Sequence, residues 1–431
     1  MRRTAALLLL LASTGGCLRR ASSNPNVIVL AVQSSPNNLD PRYATDDASQ
    51  KIGQLIYDSL LGLDDHLQTV PRLAESFEHP DDLTYVARLH QGVRFHDGHE
   101  LTAADVVYTF GGMINPDSPY PLRGGYRELA SVTARDRYTV VFTLKQPFVS
   151  FPVNLVPLPI LPDGAGPELH DHPDGTGPYR FVKYDVDDRI ELSAFDGYWQ
   201  GPPKNDGLVI KIVPDDIMRG LELQKATVDL VVNDLGPDIA YPLFGDSRLR
   251  HVETPGVDYQ YVGVNTADPI LKDARVRQAL AYAIDRRSII DYLRRGLATP
   301  AAGMLPPLSW AFAADEQTYP YDPARARQLL DDAGYPMPSG DGPRGRFHLT
   351  LKIANTQEFQ TLQAATIQQN FRAVGVELDV RTYEFATLFN DVREGNFQLY
   401  TLQWTAGSMA DPDILRRVCH SKQAPPIGFN R

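Results

Sequence analysis

Residues 262–286 read VGVNTADPILKDARVRQALAYAIDR, a strand, a turn and a helix with the two halves of the chain on either side. The aromatic and β-branched run Tyr259–Val264 predicts a buried strand. Asp268, followed by proline, predicts an extended turn, and Asp273 is placed to cap a helix. The apolar residues of that helix recur at helical spacing, at Val276, Leu280, Ala283 and Ile284.

Strand and helix patterns lie on both sides of this stretch. Before it, the apolar runs that predict strands are Val27–Val32, Thr139–Leu144, Leu208–Val213 and Thr227–Val232. After it, predicted helices and strands alternate, at Asp322–Ala333, Phe347–Ile353, Phe359–Val374, Val376–Thr382 and Phe397–Trp404. The patterns predict an α/β chain of two lobes, and two lobes joined by narrow crossings can close over a ligand around a hinge.

The composition indicates a folded, acidic protein. The chain has 431 residues, of which 43% are hydrophobic and 22% are charged, as in ordinary globular domains. Its net charge of −11 argues against a general phosphate-binding surface. We therefore expect no nucleic acid partner.

The first residues predict export from the cytoplasm. Two arginines precede the apolar run Ala5–Ala12, whose eight residues would form a helix of about 12 Å, too short for a hydrocarbon core of about 30 Å. Small residues at 14–16 then lead to Cys17. This arrangement resembles a bacterial lipoprotein signal, in which the cysteine carries the lipid, and an ordinary cleaved signal is the alternative. Since Cys419 is the only other cysteine, a lipidated Cys17 leaves no intramolecular disulfide.

No segment has the spacing of a known catalytic or metal site. GxSxG, HExxH, Walker and CxxC motifs are absent from the sequence. The glycines of 340–345 have the spacing of a dinucleotide loop but precede a predicted strand. His90, His96 and His99 share one strand and turn, point in different directions and are expected to be surface and turn residues. We expect no metal, no cofactor and no enzymatic activity. An exported hydrolase whose site is assembled from distant residues is the alternative.

Trp404 is the candidate binding residue that the local pattern favours. It ends the predicted strand 397–404 and is followed by small residues at 405–408. A tryptophan at the mouth of a strand can stack on a ligand whose backbone pairs with the strand edge. The alternative is a core tryptophan at a strand end.

Seven segments, in order, resemble the family 5 extracellular solute-binding proteins of ABC importers, which include dipeptide- and oligopeptide-binding proteins. They are LDP at Leu39–Pro41, VPRLAESF at Val70–Phe77, VRFHDGHELTAADVVYTF at Val93–Phe110, GTGPYRF at Gly175–Phe181, YW at Tyr198–Trp199, VRQALAYAIDR at Val276–Arg286 and DPARARQLLDDAGY at Asp322–Tyr335. The resemblance extends over nearly the whole mature chain.

The resemblance implies an α/β, type II periplasmic-binding-protein fold with two lobes, a hinge and an extra domain. The domain limits that we expect are a signal peptide at 1–17, the first lobe at 25–61 and 169–262, the extra domain at 62–168 and the second lobe at 263–431. Members capture a ligand, most often a peptide, in the cleft between the lobes and deliver it to the permease subunits of an ABC importer. We expect a monomer in the periplasm or at the cell surface, anchored to the membrane through Cys17.

The resemblance also implies the ligand-facing residues. They are Ser34, Ser35 and Pro36 in the first lobe, and Gln403, Trp404 and Thr405 in the second. Peptide-binding members have an aspartate three residues after this tryptophan, which pairs with the ligand's ammonium group, but this chain has Gly407 there and its next acid is Asp411. Either Asp411 replaces the missing acid, or the ligand is not an ordinary peptide. A nickel chelate, haem, an opine or a sugar is then the alternative.

The end of the sequence departs from the family as well. Family members continue past the position of Arg431 and return to the first lobe, so we expect a C-terminally truncated chain. A degenerate receptor that binds no ligand well is a further alternative.

Overall fold

The computed structural model describes residues 24–316, 318–338, 345–354, 358–404 and 411–423. Over these residues the strands are, in chain order, β1 (Val27–Val32), β2 (Leu61–Leu63), β3 (Thr69–Pro71), β4 (Ala74–Asp81), β5 (Thr84–Leu89), β6 (Leu129–Asp136), β7 (Thr139–Leu144), β8 (Tyr179–Asp185), β9 (Arg189–Ala194), β10 (Gly207–Ile212), β11 (Leu230–Val231), β12 (Tyr259–Val264), β13 (Phe347–Ala354), β14 (Val376–Tyr383) and β15 (Leu399–Trp404).

The α-helices of the same residues follow the strands along the chain. They are α1 (Asp47–Ile56), α2 (Ala103–Ile114), α3 (Asp216–Gln224), α4 (Pro237–Leu243), α5 (Ala274–Ala283), α6 (Arg286–Ser288), α7 (Pro323–Asp332), α8 (Glu358–Ala373), α9 (Phe385–Glu394) and α10 (Asp413–Cys419). A π-helical turn, Ile289–Leu293, directly follows α6.

The amino-terminal sheet has the strand order β11-β1-β10-β9-β8. β1 pairs in parallel with both β10 and β11, whereas β9 and β8 are antiparallel additions. The apolar runs predicted at the start of the chain and at 208–213 are thus neighbours, and Val29 and Ile210 are buried in the core. The carboxyl ends of β1, β10 and β11 consequently lie at one edge of this sheet.

The inserted sheet has the order β4-β5-β7-β6 and is antiparallel throughout. Helix α2 packs against it and begins with a capping box, in which Thr102 and Asp105 satisfy each other's backbone N–H groups. Four phenylalanines fill the core of this unit and are almost fully buried: Phe95, Phe110, Phe142 and Phe151.

The carboxyl-terminal sheet has the order β12-β15-β13-β14. β13 is parallel to β14 and β15, and β12 is antiparallel to β15. Asp273 caps α5 as predicted, since its carboxylate accepts the N–H of Arg275 at 2.8 Å. The predicted helix ends earlier than its apolar stripe, however. Ile284 is an extended C-cap that still packs on the core, because Asp285 caps the next helix, α6.

Several of the family segments meet at the buried carboxylate of Asp58. It accepts hydrogen bonds from Arg72 Nε at 2.8 Å, from Trp199 Nε1 at 3.0 Å and from Thr176 Oγ1 at 3.3 Å. The neighbouring Gly177 packs so closely on the end of α1 that a Cβ would come within 2.5 Å of the Ile56 backbone. These segments therefore hold the amino-terminal sheet and the inserted sheet together.

The predicted limit between lobes at 262/263 falls inside β12. This strand pairs with β15 along its whole length, from Tyr259 opposite Trp404 to Val264 opposite Leu399. β12 belongs to the carboxyl-terminal sheet from its first residue. The domain limits as a whole stay a prediction.

Candidate functional site

The carboxyl ends of β13, β14 and β15 share one edge of the carboxyl-terminal sheet, which we call the rim. Because β12 runs antiparallel to β15, it begins at this same edge, with Tyr259 opposite Trp404. In open α/β sheets, ligands bind outside the carboxyl ends of the strands. A ligand-binding site is therefore expected at the rim, together with the equivalent edge of the amino-terminal sheet.

Trp404 is half-buried at the rim. Its ring packs in a small apolar cluster around Leu305 and Ile414, to which Tyr259 and Met304 also belong. Part of the indole is thus fixed by the protein, and the remainder is accessible. Its contact with a ligand stays a prediction.

Gln403 lies on the opposite face of β15 from Trp404, because successive side chains of a strand alternate. Gln403 Nε2 donates to Asp258 Oδ2 at 2.7 Å, and the residue lies opposite Gln260 in the ladder. The two predicted binding residues therefore have different neighbours, one polar and one apolar, and a ligand would have to cross the strand end to contact both.

Ser34, Ser35 and Pro36 follow β1 at the carboxyl edge of the amino-terminal sheet. Ser34 is exposed, Ser35 is half-buried and Pro36 is buried. Ser35 Oγ donates to Asp187 Oδ1 at 2.7 Å and accepts the backbone N–H of Asp187 at 3.2 Å. The segment is therefore fixed against the β8–β9 turn. Among the described residues, its hydrogen bonds do not lead to Gln403 or Trp404.

Asp411 is held by a contact that the sequence does not indicate. Its Oδ1 accepts the hydroxyl of Ser150 at 2.7 Å and the backbone N–H of Asp413 at 2.7 Å. Ser150 belongs to the predicted extra domain, so Asp411 connects the carboxyl-terminal segment with that part of the chain. Thr405 and Gly407 lie outside the described residues, as does Cys17.

Sequence reasoning missed a polar cluster on the Gln403 face of the rim. Arg294 Nη2 donates to Gln260 Oε1 at 3.0 Å, and the Arg294 guanidinium carbon lies 3.6 Å from the centre of the Phe359 ring. Burial lowers the pKa of Arg294, an effect that the charge of Asp258 partly offsets. No motif or periodicity marks Arg294, so only the packing of the helices onto the strands shows it.

Arg295, the next residue, reaches the other half of the molecule. Its backbone has a positive φ of 52°, and its Nε lies 2.6 Å from Asp238 Oδ1 in the first turn of α4. Helix α4 follows β11 of the amino-terminal sheet. Residues 294–295 thus lie where the parts of the chain that carry the two sheets come into contact.

Asp174, from a distant segment of the chain, lies beside the histidine-rich turn. Asp97, His99 and Asp174 have ligand atoms within 4.8 Å of one another. Burial and the charge of Asp97 raise the pKa of Asp174 to about 6. His99 Nδ1 is 2.6 Å from Asp97 Oδ1, and Asp174 accepts the N–H of Asp97 at 3.2 Å. Hydrogen bonds account for this arrangement, and the expectation of no metal stays a prediction.

Neither a membrane span nor a disulfide is found in the described part of the chain. Within those ranges, no helix is both long and apolar enough to cross a membrane. Cys419 is exposed and forms no disulfide with another described residue.

Comparison with known proteins identifies the family. The model described as "Bacterial extracellular solute-binding proteins, family 5 Middle" matches residues 68–425. The glutathione-binding protein GsiB of Salmonella typhimurium is 32% identical over 417 residues, which cover 94% of this chain and 79% of GsiB.

Solved structures agree with this match. The oligopeptide-binding protein AppA from Bacillus subtilis, in complex with a nonapeptide, is 29% identical with a TM-score of 0.74, over 92% of this chain and 82% of AppA. NikZ from Campylobacter jejuni, in complex with Ni(L-His), is 25% identical with a TM-score of 0.77, over 94% of this chain and 83% of NikZ.

These matches confirm the predicted periplasmic-binding-protein fold and the prediction of a binding protein of an ABC importer that is not an enzyme. They also agree with a place of action outside the cytoplasm. The chain belongs to the family 5 bacterial extracellular solute-binding proteins.

Proposed function

We propose that this protein captures short peptides, of the size of glutathione or somewhat longer, and delivers them to the permease of an ABC importer. The observation that carries the proposal is the similarity to the glutathione-binding protein GsiB over 94% of the chain. The nonapeptide bound to AppA, a structural relative, supports a peptide as the ligand class. The rim offers both an aromatic and a polar surface, which suits a ligand with a peptide backbone and varied side chains.

In this proposal the peptide lies between the rim and the segment after β1. Trp404 supplies an aromatic face, and Gln403 supplies an amide on the other side of the strand end. Ser34, Ser35 and Pro36 contact the ligand from the first lobe. Thr405, Gly407 and Asp411 complete the site, with Asp411 pairing with the ligand's ammonium group.

The arrangement of the whole chain is proposed on the same basis. The first lobe comprises residues 25–61 and 169–258, the extra domain comprises 62–168, and the second lobe extends from 259 to 431, so that β12 lies whole within the second lobe. Closure of the lobes around the crossings would enclose the peptide. A lipid on Cys17 would hold the protein, as a monomer, at the membrane near its permease.

The first test is to identify what the protein carries. A soluble Cys17→Ala version is purified and denatured, and the released small molecules are analysed by mass spectrometry. Short peptides or glutathione are expected. The same preparation, once emptied and refolded, is titrated with glutathione, trialanine and Ni(L-His) in a calorimeter.

The outcomes separate the ligand classes. Micromolar or tighter binding of glutathione or trialanine supports the peptide proposal. Binding of Ni(L-His) in the absence of peptide binding would favour a metal chelate, the ligand class found in NikZ. A protein that releases nothing and binds none of the three would contradict the proposal.

A further inference from the structure

The side chain of Arg294 is held at the rim with no carboxylate of the described residues within ion-pair distance, and the charge of Asp258 acts on it only from farther away. It lies after the π-helical turn, between Gln260 at the start of β12 and Phe359 in the first turn of α8. The adjacent Arg295 pairs with Asp238 of α4 at 2.6 Å, which places this segment next to the other half of the molecule. Arg294 is therefore at the boundary where a cleft ligand would be held.

Other half-buried or buried arginines of this protein have their charge neutralised or their donors used internally. Arg42 pairs with Asp40 at 2.6 Å, and Arg219 donates to the carbonyl oxygens of residues 213, 214 and 234. Arg294 differs, because within the described ranges its guanidinium has one acceptor, the neutral amide of Gln260, and no carboxylate within ion-pair distance. A cation removed from water is costly unless an anion or several acceptors replace the water.

The position of Arg294 beside the first turn of α8 adds to this cost. The first turn of a helix carries a partial positive charge, which favours anions and disfavours cations. Contact with the Phe359 ring offsets part of the lost hydration through a cation–π interaction, but it leaves the guanidinium N–H groups in the plane free to donate. A guanidinium beside a helix N-terminus is a combination that suits a carboxylate.

We propose that Arg294 is a specificity-determining residue that binds a carboxylate of the ligand, so that the protein prefers peptides with a free carboxyl terminus. This inference rests on the proposed function, and it adds that the bound peptide must carry a carboxylate. Gln260 orients the guanidinium, and Phe359 supports it from one face. Glutathione, which has two carboxylates, fits the same requirement.

The test compares ligands that differ only in this carboxylate. The affinities of trialanine and trialanine amide, and of glutathione and its glycine monoethyl ester, are measured by calorimetry at constant ionic strength. For the wild-type protein we expect the acid to bind about 10- to 150-fold more tightly than its neutral partner. In Arg294→Gln, that preference should disappear through weaker binding of the acid, and Arg294→Lys should retain part of it.

Arg287→Gln is the matched control. Arg287 precedes the same π-helical turn, but its side chain is 79% exposed and pairs with Asp291 in the same segment. The control removes the same charge and should keep the wild-type preference. Melting temperatures of the variants confirm that they are folded, and Arg294→Gln is expected to be at least as stable as the control.

The results distinguish the two proposals. If the wild-type protein binds acid and neutral ligands equally, and Arg294→Gln changes neither affinity, the role of Arg294 is wrong while peptide binding stands. If Arg294→Gln and Arg287→Gln lose the preference to the same extent, long-range charge is responsible and the inference is overturned. If the wild-type protein binds none of the four compounds, the proposed function itself fails, and the inference fails with it.

Discussion

Asp58 and Arg294 are two charged side chains that are shielded from water, and they differ in the hydrogen-bond partners that surround their charge. Asp58 is 1% exposed, and its oxygens accept hydrogen bonds from Arg72, Thr176 and Trp199. Arg294 is half-buried, and in the described part of the chain its side-chain hydrogen-bond acceptor is one neutral amide, that of Gln260. A charge satisfied by its own protein stabilises the fold, whereas a guanidinium with no carboxylate in ion-pair distance is available for a ligand.

The same contrast holds between the residues that carry the family resemblance and the residues that we assign to ligand specificity. Three of the segments that carry the resemblance, those with Arg72, Thr176 and Trp199, meet at Asp58 and hold two sheets together. The rim residues that we assign to ligand selection lie outside those segments. Resemblance therefore identifies the fold securely, and it says little about which peptide is bound.

The largest expected effect is on stability, from Asp58→Ala. Removal of the carboxylate leaves the half-buried Arg72 unpaired and deprives Thr176 and Trp199 of their acceptor. We expect a loss of about 3 kcal/mol in the free energy of unfolding, the low end for a broken buried pair because Arg72 keeps some hydration. Urea unfolding followed by circular dichroism measures it.

Asp65→Ala is the control for this prediction. Asp65 is an exposed acid in the turn that follows β2, so its removal should change the free energy by less than about 0.5 kcal/mol. Equal effects of the two substitutions would show that Asp58 is not the centre of a structural cluster.

The next largest effect is expected on affinity, from Trp404→Ala. The accessible part of the indole is proposed to contact the ligand, and loss of a central aromatic contact reduces affinity by about 2 kcal/mol, roughly 30-fold. Because the ring also packs near Leu305 and Ile414, a stability loss of about 1 kcal/mol is expected as well. Calorimetry with glutathione and trialanine measures the affinity.

Trp404→Phe is the corresponding control. It keeps an aromatic ring in the cluster and should recover most of the stability and part of the affinity. An unchanged affinity in Trp404→Ala, together with reduced stability, would assign the residue to the core, which is the alternative that the sequence leaves open.

Much of the fold can be predicted from local sequence patterns, because helix caps and apolar stripes depend on residues that are close in sequence. Asp273 begins a helix as predicted, and Thr102 and Asp322 cap helices in the same way, since a side chain accepting a nearby N–H needs only the adjacent sequence. The end of α5 was harder to predict. Ile284 keeps the helical spacing but leaves the helix, because the following Asp285 begins another.

The candidate site could be predicted only in part. The predicted strand that ends at Trp404 exists, and the resemblance supplies the residues that we propose for the two sides of the cleft. Arg294 and Ser150 could not be found in this way, because their partners Phe359 and Asp411 are distant in sequence and follow no repeat. Such contacts depend on how the helices and loops pack, which no single segment determines.

The third prediction concerns the pH dependence of stability that the carboxylate of Asp174 causes. Asp174 lies two residues before Thr176, which contacts Asp58. Asp174 has a pKa raised to about 6 by burial and by Asp97, so its ionised form destabilises the folded state above about pH 6. Since the unfolded carboxyl titrates near its usual value, this destabilisation disappears as the pH falls towards 4. Asp174→Asn should therefore be about 1.5 kcal/mol more stable than the wild type at pH 7.5, with a smaller gain at pH 4.5.

His96 changes the stability of the folded state in the opposite direction over the same pH range. Burial lowers the pKa of its imidazole to about 4, so the unfolded chain binds the proton first and stability falls between about pH 6.5 and pH 4. In Asp174→Asn this decline is no longer opposed and should be steeper than in the wild type. Melting temperatures measured across this range test both points. Asp171→Asn, at an exposed acid nearby, should show neither effect.

The smallest expected effect comes from Ser150→Ala, which removes the hydroxyl that Asp411 accepts at 2.7 Å. If Asp411 pairs with the ligand's ammonium group, release from Ser150 leaves it freer to do so. The preference for trialanine over N-acetyl-trialanine should then rise about two- to fivefold, the equivalent of 0.5–1 kcal/mol for one hydrogen bond.

Asp411→Asn should lower the same preference, and Ser131→Ala, elsewhere on the inserted sheet, should leave it unchanged. A preference that neither Ser150→Ala nor Asp411→Asn alters would make Asp411 a structural link to the extra domain, of the same kind as Asp58, and would leave the ammonium group without a partner at this position.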